Sequence, residues 1–157
     1  MIETYWYPLI ISVFVSVIWY RVGNFRFLSA DDDQYIHYLV DSIIHWCNEN
    51  LGEKSPRFKV EILKENSAEN PDLLGQYVLK SKTIKIFPKA CVSNVLLPEI
   101  VLHEYVHYLQ DLSSYNQYER EFGYLNNPLE IEARKVSKAL RWKCLNFCHE
   151  NIKFKNS

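Results

Sequence analysis

The chain has 157 residues, a formal net charge of −1 and 15% aromatic residues, which suits one domain with at most an appendage and offers ample core material. Near neutrality leaves no basic field, so nucleic acid is not an expected partner, and with only four glycines no phosphate-cradling loop is present. The four cysteines, Cys47, Cys91, Cys144 and Cys148, are irregularly spaced and read as free thiols of a reducing compartment, not as a disulfide framework.

The first distinctive segment is TYWYPLIISVFVSVIWYRVG. No residue between Glu3 and Arg21 is charged, a run of 17, which makes about 26 Å of helix. That is the short end of a bilayer span. Tyr5, Trp6 and Tyr7 at one end and Trp19 and Tyr20 at the other suit the two headgroup regions. Residues 5–22 are therefore expected to form a transmembrane helix, with residues 1–27 as anchor and 28–157 as the folded domain. Arg21 and Arg26 follow the span and no basic residue precedes it, which places the domain on the cytoplasmic side of a single-pass protein. Two other readings compete. A cleaved signal peptide is disfavoured by Glu3 and by the lack of a small-residue cleavage site. A buried core element is favoured only by the abundance of Val and Ile.

SADDDQYIHYLVDSIIHWCNENLG predicts an amphipathic helix. Ser29 or an early Asp can cap it, Ile36, Leu39, Val40, Ile43, Ile44 and Cys47 recur at helical spacing, and Gly52 ends it. His37 and His45 lie on this helix without a suitably spaced carboxylate and read as structural. PRFKVEILKE alternates Phe58, Val60 and Ile62 with charges and predicts a half-buried strand. QYVLKSKTIKIF gives two short alternating runs, a hairpin, with TIKIF as an edge that a peptide could pair with. NVLLPEIVLHEYVHYLQDL predicts a helix with Pro98 in its first turn. SSYNQYEREFGYLN reads as a loop. NPLEIEARKVSKALRWKCLNFCHENIKF predicts the last helix, with Asn127 as cap, Pro128 at the first helical position and an apolar stripe through Ala133, Leu140 and Cys144. The order is helix, about three strands, then two helices: an α+β fold with helices packed on one small sheet.

VLHEYVH carries the chemistry. His103 and His107 are four apart, so on a helix both imidazoles leave the same face, about 40° and one turn apart. Two neutral imidazoles so placed can share one Zn²⁺. Glu104 is rotated about 100° from His103, beside the metal, where the HExxH arrangement uses it as general base. HExxH also occurs by chance. Here it lies in an almost wholly apolar helix, where two His and a Glu without partners would cost several kcal/mol. A third ligand is needed, and NPLEIEA offers Glu130 and Glu132. Two apart, they differ by about 200°, so only one can face the metal.

HEYVHYLQ together with EIEAR resembles the gluzincins, the zinc metallopeptidases with HExxH and a downstream Glu, and most of all their minimal-domain members with HExxHxxQ and a later ExxA. The resemblance covers roughly residues 75–145. It implies a zincin-like domain in which a small sheet packs against an HExxH helix and a Glu-ligand helix. It also implies His103, His107 and Glu130 as Zn²⁺ ligands, and hydrolysis of a peptide or protein substrate with Glu104 activating the water. Arg134 departs from the pattern: relatives carry Asp or Asn there to support a zinc-bound His, so that support is unassigned in this chain. Tyr124, ahead of Tyr115 and Tyr118, is the expected oxyanion stabiliser. Cys144, Cys148 and His149 could suggest a second metal site, but Cys144 sits on the core stripe, which argues against one. A non-catalytic zinc-stabilised binding module tethered to a membrane and a structural protein with an accidental HExxH are the alternatives.

Overall fold

A computed structural model describes residues 33–52, 57–63, 67, 70, 72–87 and 93–155. Helix α1 spans Asp33–Asn50, and the apolar positions spaced three or four apart, Ile36, Leu39, Val40, Ile43, Trp46 and Cys47, are its buried face. Asp33 sits in its first turn, where a negative charge complements the helix dipole. Three four-residue strands follow: β1 (Lys59–Ile62), β2 (Gly75–Val78) and β3 (Thr83–Ile86). The expected hairpin is present. β2 and β3 pair antiparallel with Tyr77 opposite Ile84, and the turn between them holds Lys82 at φ +50°.

The sheet order is β1-β3-β2, with β1 parallel to β3. This corrects one expectation: β3, the TIKIF strand, is central, and both its edges are taken. No peptide can add to it. One outer edge of the sheet belongs to β2.

Helix α2 (Leu96–Leu109) carries the HExxH motif and is buried nearly all round, with Leu97, Ile100, Val101, Leu102, Tyr105 and Val106 among its buried residues. It is wedged between the sheet, α1 and the last helix. Burying each such side chain contributes about 1.5–3 kcal/mol, so the HExxH backbone is among the best anchored in the fold. Tyr105 is fully buried, and its hydroxyl donates to Asn48 Oδ1 at 3.0 Å, tying α2 to α1.

The segment after α2 is not the loop expected. Leu112–Ser114 forms a single 3₁₀ turn, Tyr115–Phe122 forms helix α3, and Tyr124–Asn126 forms a second 3₁₀ turn. Helix α3 buries none of its residues. Gly123 ends it at φ +73°, a conformation that glycine adopts without strain, and its N–H donates to Glu119 O at 2.8 Å. Helix α4 (Pro128–Lys155, 28 residues) closes the fold. Its start is fixed by Asn127, whose Oδ1 accepts from Leu129 N at 3.0 Å. The architecture of the described residues is α+β, with four helices on a three-stranded sheet.

The single-pass membrane placement with a cytoplasmic domain is corrected: no helix among the described residues is long and apolar enough to cross a membrane. The two helices of sufficient length are charged along their course, α1 at Asp33, Asp41 and Glu49 and α4 at Arg134, Lys138, Arg141 and Lys143. The span itself, residues 5–22, lies outside the described residues, as does the Ser29 cap.

Candidate metal centre

One helical turn of α2 aims His103 and His107 at the first turn of α4. Their Nε2 atoms lie 3.1 Å apart. Glu130 meets both: Oε2 is 3.3 Å from His103 Nε2 and Oε1 is 3.2 Å from His107 Nε2. These three residues form a group able to hold a metal ion. A tetrahedral ion with bonds of 2.0–2.1 Å sets its ligands about 3.3 Å apart, which is the spacing found. Glu130 Oε2 is also buried with no hydrogen-bond partner, an unsatisfied acceptor of the kind that a cation would satisfy. The donor set therefore fits a divalent ion.

Burial separates the two acidic candidates. Glu130 is 2% exposed and points inward, whereas Glu132 is exposed. Glu132 Oε2 instead accepts from Gln110 Nε2 at 2.9 Å. Burial pushes the Glu130 carboxyl up, but the adjoining His103 and His107 imidazoles and the Tyr115 hydroxyl outweigh it and hold the group well below the ordinary carboxylate range. Glu130 is thus an anion, as a ligand must be. Desolvation pulls His107 down, and its contact with Glu130, the charge of Glu104 and the bond to Gln110 more than offset that, so its pKa is raised.

Glu104 is 7% exposed and lies on the sheet side of the group. Burial pushes its carboxyl above the usual range, against the pull of His103, His107 and a backbone hydrogen bond from Tyr77. The Tyr77 contact locates it. Phe87 N donates to Leu74 O, so in the alternating antiparallel ladder Leu74, Gln76 and Val78 bond toward β3, and Tyr77 N–H faces outward. Glu104 therefore lies along the outer edge of β2. Gly75 makes room for it: a Cβ there would come within 2.8 Å of Ile100 Cγ2 and 3.0 Å of Glu104 Cγ.

Two tyrosines address Glu130. Tyr115, the lesser sequence candidate, donates its hydroxyl to Oε1 at 2.7 Å, and burial together with that carboxylate raises its pKa. Asn127 Nδ2 holds the same residue by its backbone, donating to Tyr115 O at 3.4 Å. Tyr124 is 52% exposed, yet burial of its hydroxyl and the nearby Glu130 and Glu104 charges push its pKa up to about 12. Arg134 supports no histidine. It donates to Leu125 O, lies 3.9 Å from Glu130 Oε2 and covers the Tyr124 ring at 5.9 Å, which pins the loop beside the site. Tyr118 stands away, against Phe122.

Among the described residues, the remaining histidines and cysteines do not join this group. His37 pairs with Asp33 on α1, and His45 packs on Phe147. Cys47, Cys144 and Cys148 are buried free thiols. The sequence reading missed the Tyr115 bond to Glu130 and the partners of Gln110, since both span a fold that spacing alone does not reveal. Gln110 carried a signal in HEYVHYLQ; Tyr115 carried none beyond its residue type. Compared with family models, curated proteins and solved structures, the chain has no match.

Proposed function

We propose that this chain is a zinc-dependent peptidase with a minimal zincin-like domain of the gluzincin type, acting on a peptide or protein substrate. His103, His107 and Glu130 would hold the ion, a mixed nitrogen and oxygen set that suits Zn²⁺. The observation that carries the reading is the convergence of these three donors at tetrahedral spacing with a buried carboxylate, Glu104, beside them. Three protein ligands leave a coordination position open, the mark of a catalytic rather than a structural site. When bound, zinc supplies Lewis acidity toward a peptide carbonyl and toward the attacking water.

The protein supplies the rest. Glu104 takes the proton of the attacking water and delivers it to the departing amine. Its burial raises its proton affinity, which favours holding that proton between the two steps. The Tyr124 hydroxyl, kept protonated by burial and by the two carboxylates near it, donates to the oxygen on which charge develops. An extended substrate adds to the outer edge of β2, which no other described strand takes, and main-chain hydrogen bonding there aligns it past Glu104.

Incubation of the zinc-loaded full chain with a peptide mixture, read by mass spectrometry, tests this. New cleavage products that vanish with a chelator and return with Zn²⁺ are expected. Intact peptides under all three conditions would overturn the reading in favour of a non-catalytic zinc-binding module.

A further inference from the structure

Gln110 ends α2, with its backbone N–H on Val106 O, three residues beyond His107. Its side chain makes three contacts. Oε1 lies 2.8 Å from His107 Nδ1. Nε2 donates to Leu129 O at 3.0 Å and to Glu132 Oε2 at 2.9 Å. Leu129 sits in the first turn of α4, the turn that carries Glu130, and Glu132 directly follows that turn.

The chemistry of those partners leaves one solution. A peptide carbonyl and a carboxylate are both acceptors, so the amide nitrogen of Gln110 must face them and the amide oxygen must face His107. An amide oxygen only accepts. His107 must then carry a hydrogen on Nδ1, which leaves the Nε2 lone pair of the neutral ring pointing at His103 and Glu130. We infer that Glu132 and Gln110 form a positioning relay that fixes the tautomer and ring plane of His107 and ties the two ligand helices together. The relay takes over the role that Arg134 cannot fill. It also gives Glu132 a purpose distinct from ligation. The inference rests on the metal-site reading of His103, His107 and Glu130.

The relay makes a rescue prediction that packing alone does not. Gln110→Glu places an acceptor against Leu129 O and the Glu132 carboxylate, with no donor among them. Glu132→Gln then restores a donor opposite that acceptor. Zn²⁺ affinity of the full chain is measured by competition with a chromogenic chelator, beside urea unfolding of each variant. Gln110→Ala and Gln110→Glu should each weaken binding by about 10–100-fold, the usual loss for a group behind a metal ligand. Gln110→Glu with Glu132→Gln should recover most of it. Nitrogen shifts of His107 in metal-free protein, at a pH where the ring is neutral, should report Nδ1–H in wild type and a tautomer mixture in Gln110→Ala. Wild-type affinity in Gln110→Glu, failure of Glu132→Gln to rescue it, or an unchanged tautomer in Gln110→Ala would overturn the relay. Wild-type protein that takes up no zinc would instead overturn the metal site itself.

Discussion

Gly75→Ala is the substitution that most directly probes how the sheet places Glu104, the proposed base. A Cβ at residue 75 would lie 2.8 Å from Ile100 Cγ2, 3.0 Å from Glu104 Cγ and 3.1 Å from Glu104 Oε1. Carbon atoms in contact prefer about 3.5–4.0 Å, so roughly 0.5–1 Å of overlap must be relieved. Ile100 Cγ2 and Glu104 Cγ lie near the root of their side chains on a packed helix, and β2 is held by its ladder to β3. The strand or Glu104 therefore moves. Overpacking costs about 1–3 kcal/mol, reduced by about 0.4–1 kcal/mol because alanine restricts the unfolded chain. A net loss of about 1–2 kcal/mol lowers Tm by roughly 2–8 °C for a chain of this size. A displacement of about 1 Å at a catalytic group costs on the order of 10²-fold in rate. Peptide turnover and thermal unfolding of zinc-loaded protein are the assays, with zinc stoichiometry as control, since residue 75 touches no ligand. The variant should keep its metal, melt slightly lower and turn over far more slowly. Wild-type kcat/KM in a folded Gly75→Ala protein would refute the placement of Glu104 at the β2 edge.

Three further outcomes follow from the same geometry. Glu130→Ala should lower Zn²⁺ affinity far more than Glu132→Ala, because only the former removes a donor, and competition titration with the reverse order would exchange their roles. Asn127→Ala should destabilise the fold by about 0.5–2 kcal/mol in urea unfolding, as loss of a helix cap does, and should weaken zinc as well, since the same side chain steadies Tyr115. Cys47 and Cys144, whose thiols burial and neighbouring sulfur push far up, should react with a thiol reagent at pH 8 only after denaturant is added; rapid modification of the native protein at these positions would contradict their packing.

The parts of the fold written in local periodicity were legible in the sequence. His103 and His107 share a face because the helix repeat puts them there, and the apolar residues around them announced a buried α2. The start of α4 was equally plain from Asn127 and Pro128. Helix α3 escaped because it is only eight residues long and buries none of them, so the helical spacing of Tyr115, Tyr118 and Phe122 reads as part of a polar loop; contacts across the chain from Asn127 and Glu130 to Tyr115 hold its first residue. The choice between β2 and β3 as the free edge also escaped, since strand order is a long-range property and both runs alternate alike. Glu130 and Glu132 were indistinguishable by angle. The fold separates them by burying one and giving the other to Gln110, 22 residues away in sequence.

The central claim is that a metal held by His103, His107 and Glu130 works with Glu104 as base. Glu104→Gln tests it most directly, with zinc content and peptide turnover measured on the same sample. The carboxamide keeps the size of the side chain, and no ligand is removed. The account predicts about one Zn²⁺ per chain in variant and wild type alike, with turnover in the variant lowered by about 10²–10⁴-fold, the usual contribution of a general base. Undiminished turnover in a zinc-loaded Glu104→Gln protein would contradict it.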